Sequence, residues 1–236
     1  ILFLILLAVV LFAALAYAVT GSQKGQTKDA SSEKVKTMSA EILQKATLIE
    51  NTINRMMLVN GCKDTEISFE NTVITSYVNP SAPASKRCHL FDPAGGGLSY
   101  PTLAREMFDP TIENSFFAWG QVVLTGNLFI KQVGTDCTDA SCNELVFTTQ
   151  GLTKAVCDYI NESLGNGATI QSAYFAGFEP TPAHADFFKG TYDYQTNAGV
   201  STLQPTMVGR RTGCIRRGDL GGYGNPYLFY HVILAR

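Results

Sequence analysis

Residues 1–19 constrain everything that follows them. They read Ile-Leu-Phe-Leu-Ile-Leu-Leu-Ala-Val-Val-Leu-Phe-Ala-Ala-Leu-Ala-Tyr-Ala-Val, with no charged residue, no glycine and no proline. At about 1.5 Å per residue such a helix is roughly 30 Å long, close to the hydrocarbon thickness of a bilayer. It is apolar all round, so lipid or other apolar helices must surround it. No other run in the chain resembles it. Ala8, Ala13, Ala14, Ala16 and Ala18 are small, and Ala14 and Ala18 share one helical face. Small residues let apolar helices approach closely, which favours helix–helix packing over simple anchoring. A secretory signal would be cut off beyond its apolar core. Here that core is retained and Ile1 already stands inside it, as expected if a short leader had been removed.

The 236-residue chain leaves about two hundred residues beyond this run, enough for one globular domain with a real core. A net charge of −2 and a pI near 5.9 give no electrostatic reason to expect a nucleic-acid partner. Charged residues make up 16 % of the chain, a low share that suits a subunit burying much of its surface in an assembly.

Cys62, Cys88, Cys137, Cys142, Cys157 and Cys214 all lie beyond the apolar run. None forms a Cys-x-x-Cys pair, and with His89, His184 and His231 as the whole histidine complement, zinc-site spacing is missing. An even set confined to the part expected to be exported points to disulfides formed in the periplasm or outside the cell. Six cysteines allow fifteen pairings. Sequential pairs, Cys62–Cys88, Cys137–Cys142 and Cys157–Cys214, are expected because each closes a loop within or beside one structural segment. Lys24, Lys28, Lys34 and Lys36 pull the other way, since a lysine-rich flank normally stays cytoplasmic. The cysteines are given more weight.

Residues 20–32 are polar and contain Gly21 and Gly25, so they read as a connector or an easily stretched helix. Asp29, Ser31 or Ser32 is placed to cap a new helix over 33–60. In it Val35, Met38, Ile42, Ala46, Ile49, Ile53 and Met56 recur every three or four residues, while Lys34, Glu41, Lys45 and Asn54 fall off the stripe. One face is therefore expected to pack on a globular head, and Gly61 to end the helix in the left-handed conformation. Strands are expected at 67–69 and 73–78, a loop at 92–97 and a short helix at 102–108. Strands 116–124 and 128–133 are expected to be joined by a hairpin turn at Thr125-Gly126-Asn127. Another strand is expected at 145–149, a helix at 151–164 and a last strand at 227–234. The class is α+β: a long N-terminal helix, apolar then amphipathic, carrying a disulfide-stapled, antiparallel β-rich head over 61–236.

Motifs of chemistry are few. No Gly-x-Ser-x-Gly elbow, P-loop or dinucleotide fingerprint is present, so neither an enzymatic role nor a cofactor is expected. His184 and Asp186 lack an identifiable third metal ligand. Asp136 and Asp139, with Asn143 and Glu144, give oxygen atoms around the small cysteine loop and are a weak calcium candidate, but a solvated turn fits their spacing better. Arg217-Gly218-Asp219 spells an adhesion tripeptide that arises easily by chance. Asn161-Glu162-Ser163 fits a glycosylation acceptor but falls inside an expected helix. Arg210, Arg211, Arg216 and Arg217 form a basic loop around Cys214, expected to be a solvated or subunit-contacting face.

The order of apolar helix, amphipathic continuation and disulfide-stapled α+β head with a cysteine near the C-terminus resembles type IV pilins and pseudopilins. The resemblance covers 1–62 best and the head loosely. It implies that a peptidase removes a basic leader and that apolar helices bundle into a filament core coated by the heads. Ile1, Leu4, Ile5, Ala8, Leu11, Phe12, Leu15 and Ala18 would then form the assembly helix. Members of that family usually begin with phenylalanine and carry glutamate at the fifth position. Here those positions hold Ile1 and Ile5, so no carboxylate of that kind answers a neighbour's terminal amine. The implied role is an extracellular filament subunit for adhesion, attachment or motility. Its partners are identical subunits in a helical filament, the inner membrane before assembly, and export and assembly machinery. The alternative is a single-pass, membrane-anchored periplasmic binding or assembly protein.

Overall fold

The computed structural model describes residues 2–111, 121–134, 143–167, 172–173, 187–192, 199–200, 207–217 and 227–236, with only the backbone for 2–30, 172–173, 199–200 and 217. The chain forms two compact units, Ile1–Thr37 and Met38–Arg236.

One helix, α1, spans Leu2–Val59. It passes through 20–32 without a break, so Asp29, Ser31 and Ser32 lie inside it and no second helix starts at residue 33. The physical reason is scale. An interior glycine costs about 1 kcal/mol relative to alanine, too little for Gly21 and Gly25 to separate two strongly helical flanks. Among the described residues, no helix is long and apolar enough to cross a membrane; the side chains of 1–19 lie outside that description. At its other end α1 stops as expected, with Gly61 at φ +66°. Asn60 N–H donates to the Met56 carbonyl at 3.0 Å, satisfying one of the last carbonyls of the helix.

The second unit is α+β, built on a four-stranded antiparallel sheet. Its strands are β1 (Val122–Ile130), β2 (Glu144–Leu152), β5 (Thr212–Arg217) and β6 (Tyr227–Leu234), in the order β5-β6-β2-β1. Two-residue strands extend both edges in parallel: β3 (Ser172–Ala173) beside β5 and β4 (Gly199–Val200) beside β1. Helix α2 (Lys154–Ser163) follows β2 after the cap Thr153, whose hydroxyl accepts from Val156 N–H at 3.4 Å.

Both faces of the sheet are buried, and the two-residue period of a strand sorts their side chains. Leu228, Tyr230 and Val232 of β6 join Leu128, Ile130, Val146 and Ile215 in one cluster, closed by Val133 and Met207. The alternate residues Phe229, His231 and Ile233 point the other way. On that side Cys214 is bonded to Cys157 of α2 and His231 meets Glu50 of α1. The strand expected at 227–234 and the helix expected at 151–164 are thus both present, the helix three residues later at its start.

Two expected features differ. Thr125-Gly126-Asn127 is not a hairpin turn: β1 runs through it, and a bulge interrupts the pairing with β2 between Thr125 and Leu128. A Cβ on Gly126 would lie 2.9 Å from the Phe188 ring, so the glycine marks a close approach inside a strand, a role that looks like a turn in sequence. Residues 73–78 form turns instead of a strand. The Asn71 carboxamide oxygen accepts from Val73 and Ile74 N–H at 2.8 and 2.7 Å, and this local competition for backbone donors defeats the extended pattern. The segment expected as strand at 67–69 is reduced to a single bridge between Ser68 and His89, and the helix expected at 102–108 to a 3-10 turn at Arg105–Met107. Residues 92–97 form the expected loop.

Candidate functional site

The face of α1 that enters the second unit carries the expected stripe. Ile42, Ala46, Ile49, Ile53 and Met56 are buried, whereas Met38 is half-buried. Val35 is half-buried too but belongs to the other unit. Completely burying one large apolar side chain contributes about 1.5–3 kcal/mol, so Ile42, Ile49, Ile53 and Met56 make this seam the main hold on the helix.

Polar residues flank the seam. The Ser39 hydroxyl donates to the Val156 carbonyl of α2 at 3.3 Å. Lys45 donates to the Thr102 carbonyl, Arg55 to the Gly96 carbonyl at 3.1 Å, and the Asn60 carboxamide to the Arg87 carbonyl at 2.8 Å. These contacts tie the helix to loops distant in sequence, and no periodicity announces them.

The centre of this junction is a cluster around Glu50. His231 Nε2 lies 2.9 Å from Glu50 Oε2, and Arg211 Nη2 lies 2.9 Å from Glu50 Oε1. Thr212 Oγ1 lies 2.7 Å from His231 Nδ1. A carboxylate can only accept, so Nε2 carries the hydrogen; Nδ1 of the neutral ring then accepts a hydrogen bond from the Thr212 hydroxyl. Thr212 and His231 face each other across β5 and β6, and Arg211 also donates to the Val232 carbonyl at 3.1 Å. Burial disfavours the imidazolium and pulls the His231 pKa below its ordinary value; the Glu50 carboxylate opposes that shift, and Arg211 adds to it. Hydroxyl, imidazole and carboxylate stand in the order of a nucleophile, its base and an orienting acid. Here both carboxylate oxygens are engaged and Glu50 sits on α1, so the group acts as a clamp between helix and sheet. Sequence reading missed Glu50 and His231. The available signal was a histidine inside the otherwise apolar run of β6, a buried polar side chain that requires a partner. Arg211, expected on a solvated or subunit-contacting face, is exposed and also reaches the helix.

A second clamp fixes α2. Asn161 is fully buried; its Nδ2 donates to the Cys214 carbonyl at 2.7 Å and its Oδ1 accepts from Cys214 N–H at 2.9 Å. With both amide ends committed, the Asn161 side chain is closed to a glycosylating enzyme in the folded chain. Cys62–Cys88 and Cys157–Cys214 are disulfides, as sequential pairing expects; Cys137 and Cys142 lie outside the described residues.

The side chains of Ile1, Leu4, Ile5, Ala8, Leu11, Phe12, Leu15 and Ala18 also lie outside the described set, as do Asp136, Asp139, His184, Asp186, Gly218 and Asp219. Among the described residues, no group of three or more His, Cys, Asp or Glu side chains is disposed to hold a metal ion. No protein-family model matches the chain, and no curated protein or solved structure shows significant similarity to it.

Proposed function

We infer that this chain is a structural subunit of an extracellular, pilus-like filament, held together by lateral packing of residues 1–19 from many copies. The observation that carries the reading is a single helix, Leu2–Val59, whose first third is uncharged in sequence and whose last third is clamped into an α+β head. The clamp of Glu50, Arg211 and His231 and the buried stripe resist the helix's being drawn out. Heads repeating by a contact that does not close on itself give a filament. Two disulfides in the head suit an oxidising location, with the apolar segment resting in the inner membrane before assembly. Adhesion, attachment and motility are the roles such a filament serves.

The test is imaging. Sheared surface material, negatively stained and labelled with antibody against the head, is expected to show thin filaments containing this chain. Label confined to membranes, on a chain that detergent releases as a monomer or small oligomer, would favour an anchored periplasmic protein instead.

A further inference from the structure

Away from the clamp, residues 70–73 and 86–100 line a cleft of about 510 Å³, within the usual range for a small-molecule site. We propose that this cleft binds an uncharged saccharide, with Phe91 and Tyr100 as its apolar wall and Glu70, Asp92, Lys86 and His89 as its polar rim. The proposal does not rest on filament assembly.

The cleft is built rather than incidental. Ser68 N–H donates to the Cys88 carbonyl and Leu90 N–H to the Ser68 carbonyl, each at 2.9 Å, beside the Cys62–Cys88 disulfide. Gly96 N–H donates to the His89 carbonyl at 2.9 Å and Leu98 N–H to the Leu90 carbonyl at 3.1 Å. A Cβ on Gly95 or Gly96 would lie 2.3 Å from the carbonyl oxygens of His89 or Leu90, so the loop closes this tightly only with glycine. Lys86 adopts φ +59°, a conformation that non-glycine residues rarely take and that is enriched at functional sites. The Tyr100 hydroxyl donates to the Val122 carbonyl at 2.5 Å, which fixes its ring, and Phe91 meets that ring edge-on at 5.6 Å.

The ligand class follows from how charge is arranged. Lys86 Nζ faces Asp92 Oδ2 at 3.4 Å, and His89 Nδ1 faces Glu70 Oε2 at 3.8 Å. Lys86 already answers a carboxylate, so the rim holds no free ammonium for a phosphate. These separations are longer than strong hydrogen bonds, which leaves carboxylate lone pairs for hydroxyl donors and the ammonium for a ring or glycosidic oxygen. The Ala94 N–H, donating to Asp92, holds that carboxyl below its usual range and keeps it an acceptor. Half-buried aromatic rings beside such groups suit the C–H face of a sugar.

The test uses the full chain in a detergent without a sugar headgroup, titrated with lactose, cellobiose and N,N′-diacetylchitobiose and followed by saturation-transfer NMR. At least one disaccharide is expected to receive saturation, and its affinity is expected to fall tenfold or more in Phe91→Ala and in Glu70→Gln combined with Asp92→Asn. The second variant keeps side-chain volume but turns one acceptor oxygen of each carboxylate into an amide donor, so it reports on the rim even where Phe91→Ala weakens the fold. Diglycine is expected to receive no saturation, and inorganic phosphate, followed by its phosphorus-31 linewidth, is expected to show no binding. The proposal is overturned if no disaccharide binds, if binding survives both variants, or if phosphate or diglycine binds instead.

Discussion

Replacing Glu50 tests how the helix is held. In Glu50→Ala the His231 Nε2–H keeps its place in a ring whose side chain is 10 % exposed, but loses its acceptor. A buried donor left unsatisfied costs about 1–3 kcal/mol. The Arg211 side chain is half-exposed, so its lost ion pair adds at most about 1 kcal/mol. The expected loss is about 1–4 kcal/mol near pH 8, roughly 2–16 °C in Tm for a unit of this size. Glu50→Gln keeps an acceptor for His231 and is expected to lose about 1 kcal/mol. Both variants are expected to fall further behind the wild type in acid. In the wild type, burial holds the folded His231 pKa below its ordinary value of 6.5, with Glu50 limiting the drop. The unfolded chain therefore binds more protons as pH falls below about 6.5, and stability declines there. Without the Glu50 charge, the folded pKa drops further and the unfolded state's proton excess widens. Urea unfolding of the full chain in detergent, followed by near-ultraviolet circular dichroism from pH 8 to 5, is the assay. The deficit of Glu50→Gln is expected to grow on acidification. A deficit that stays constant, or shrinks, would refute the clamp.

Three further outcomes are expected. Asn161→Ala strips both backbone partners from buried Cys214 and should lose about 2–4 kcal/mol in urea unfolding; a loss under about 0.5 kcal/mol would contradict the clamp on β5. Gly96→Ala places a Cβ 2.3 Å from the Leu90 carbonyl oxygen. It should speed hydrogen exchange at the Gly96 and Leu98 amides by tenfold or more, and unchanged exchange would show that the loop yields freely. Replacing Cys157 and Cys214 together by serine opens a crosslink with a sequence separation of 57. Loop-closure entropy puts the loss near about 4 kcal/mol, and a change below about 1 kcal/mol in urea unfolding would speak against it.

Local patterns carried much of the fold. The stripe from Ile42 to Met56, the glycine at the end of α1, the amphipathic α2 and the long apolar run of β6 were legible because each rests on near neighbours in sequence. Sequential pairing of Cys62 with Cys88 and Cys157 with Cys214 followed from segment boundaries. What escaped was decided by distant partners. Gly126 looks like a turn until Phe188 is seen against it, and residues 73–78 look extended until Asn71 takes their amides. Residues 20–32, read as a connector or an easily stretched helix, continue α1, because two glycines cost a long helix too little to break it. Glu50 and His231 stand 181 residues apart, and nothing in either neighbourhood names the other. The cleft escaped for the same reason, since residues 70 and 86–100 meet only once the Cys62–Cys88 loop has closed.

The filament account stands or falls on what surrounds residues 1–19. A photo-crosslinking amino acid placed at Leu11 in full-length chain, irradiated on intact cells, reports that neighbour directly. The account expects a ladder of covalent dimers and higher multimers of this chain in the sheared surface fraction, lost when detergent disperses the material before irradiation. Adducts to lipid alone, on a chain that stays monomeric, would contradict it.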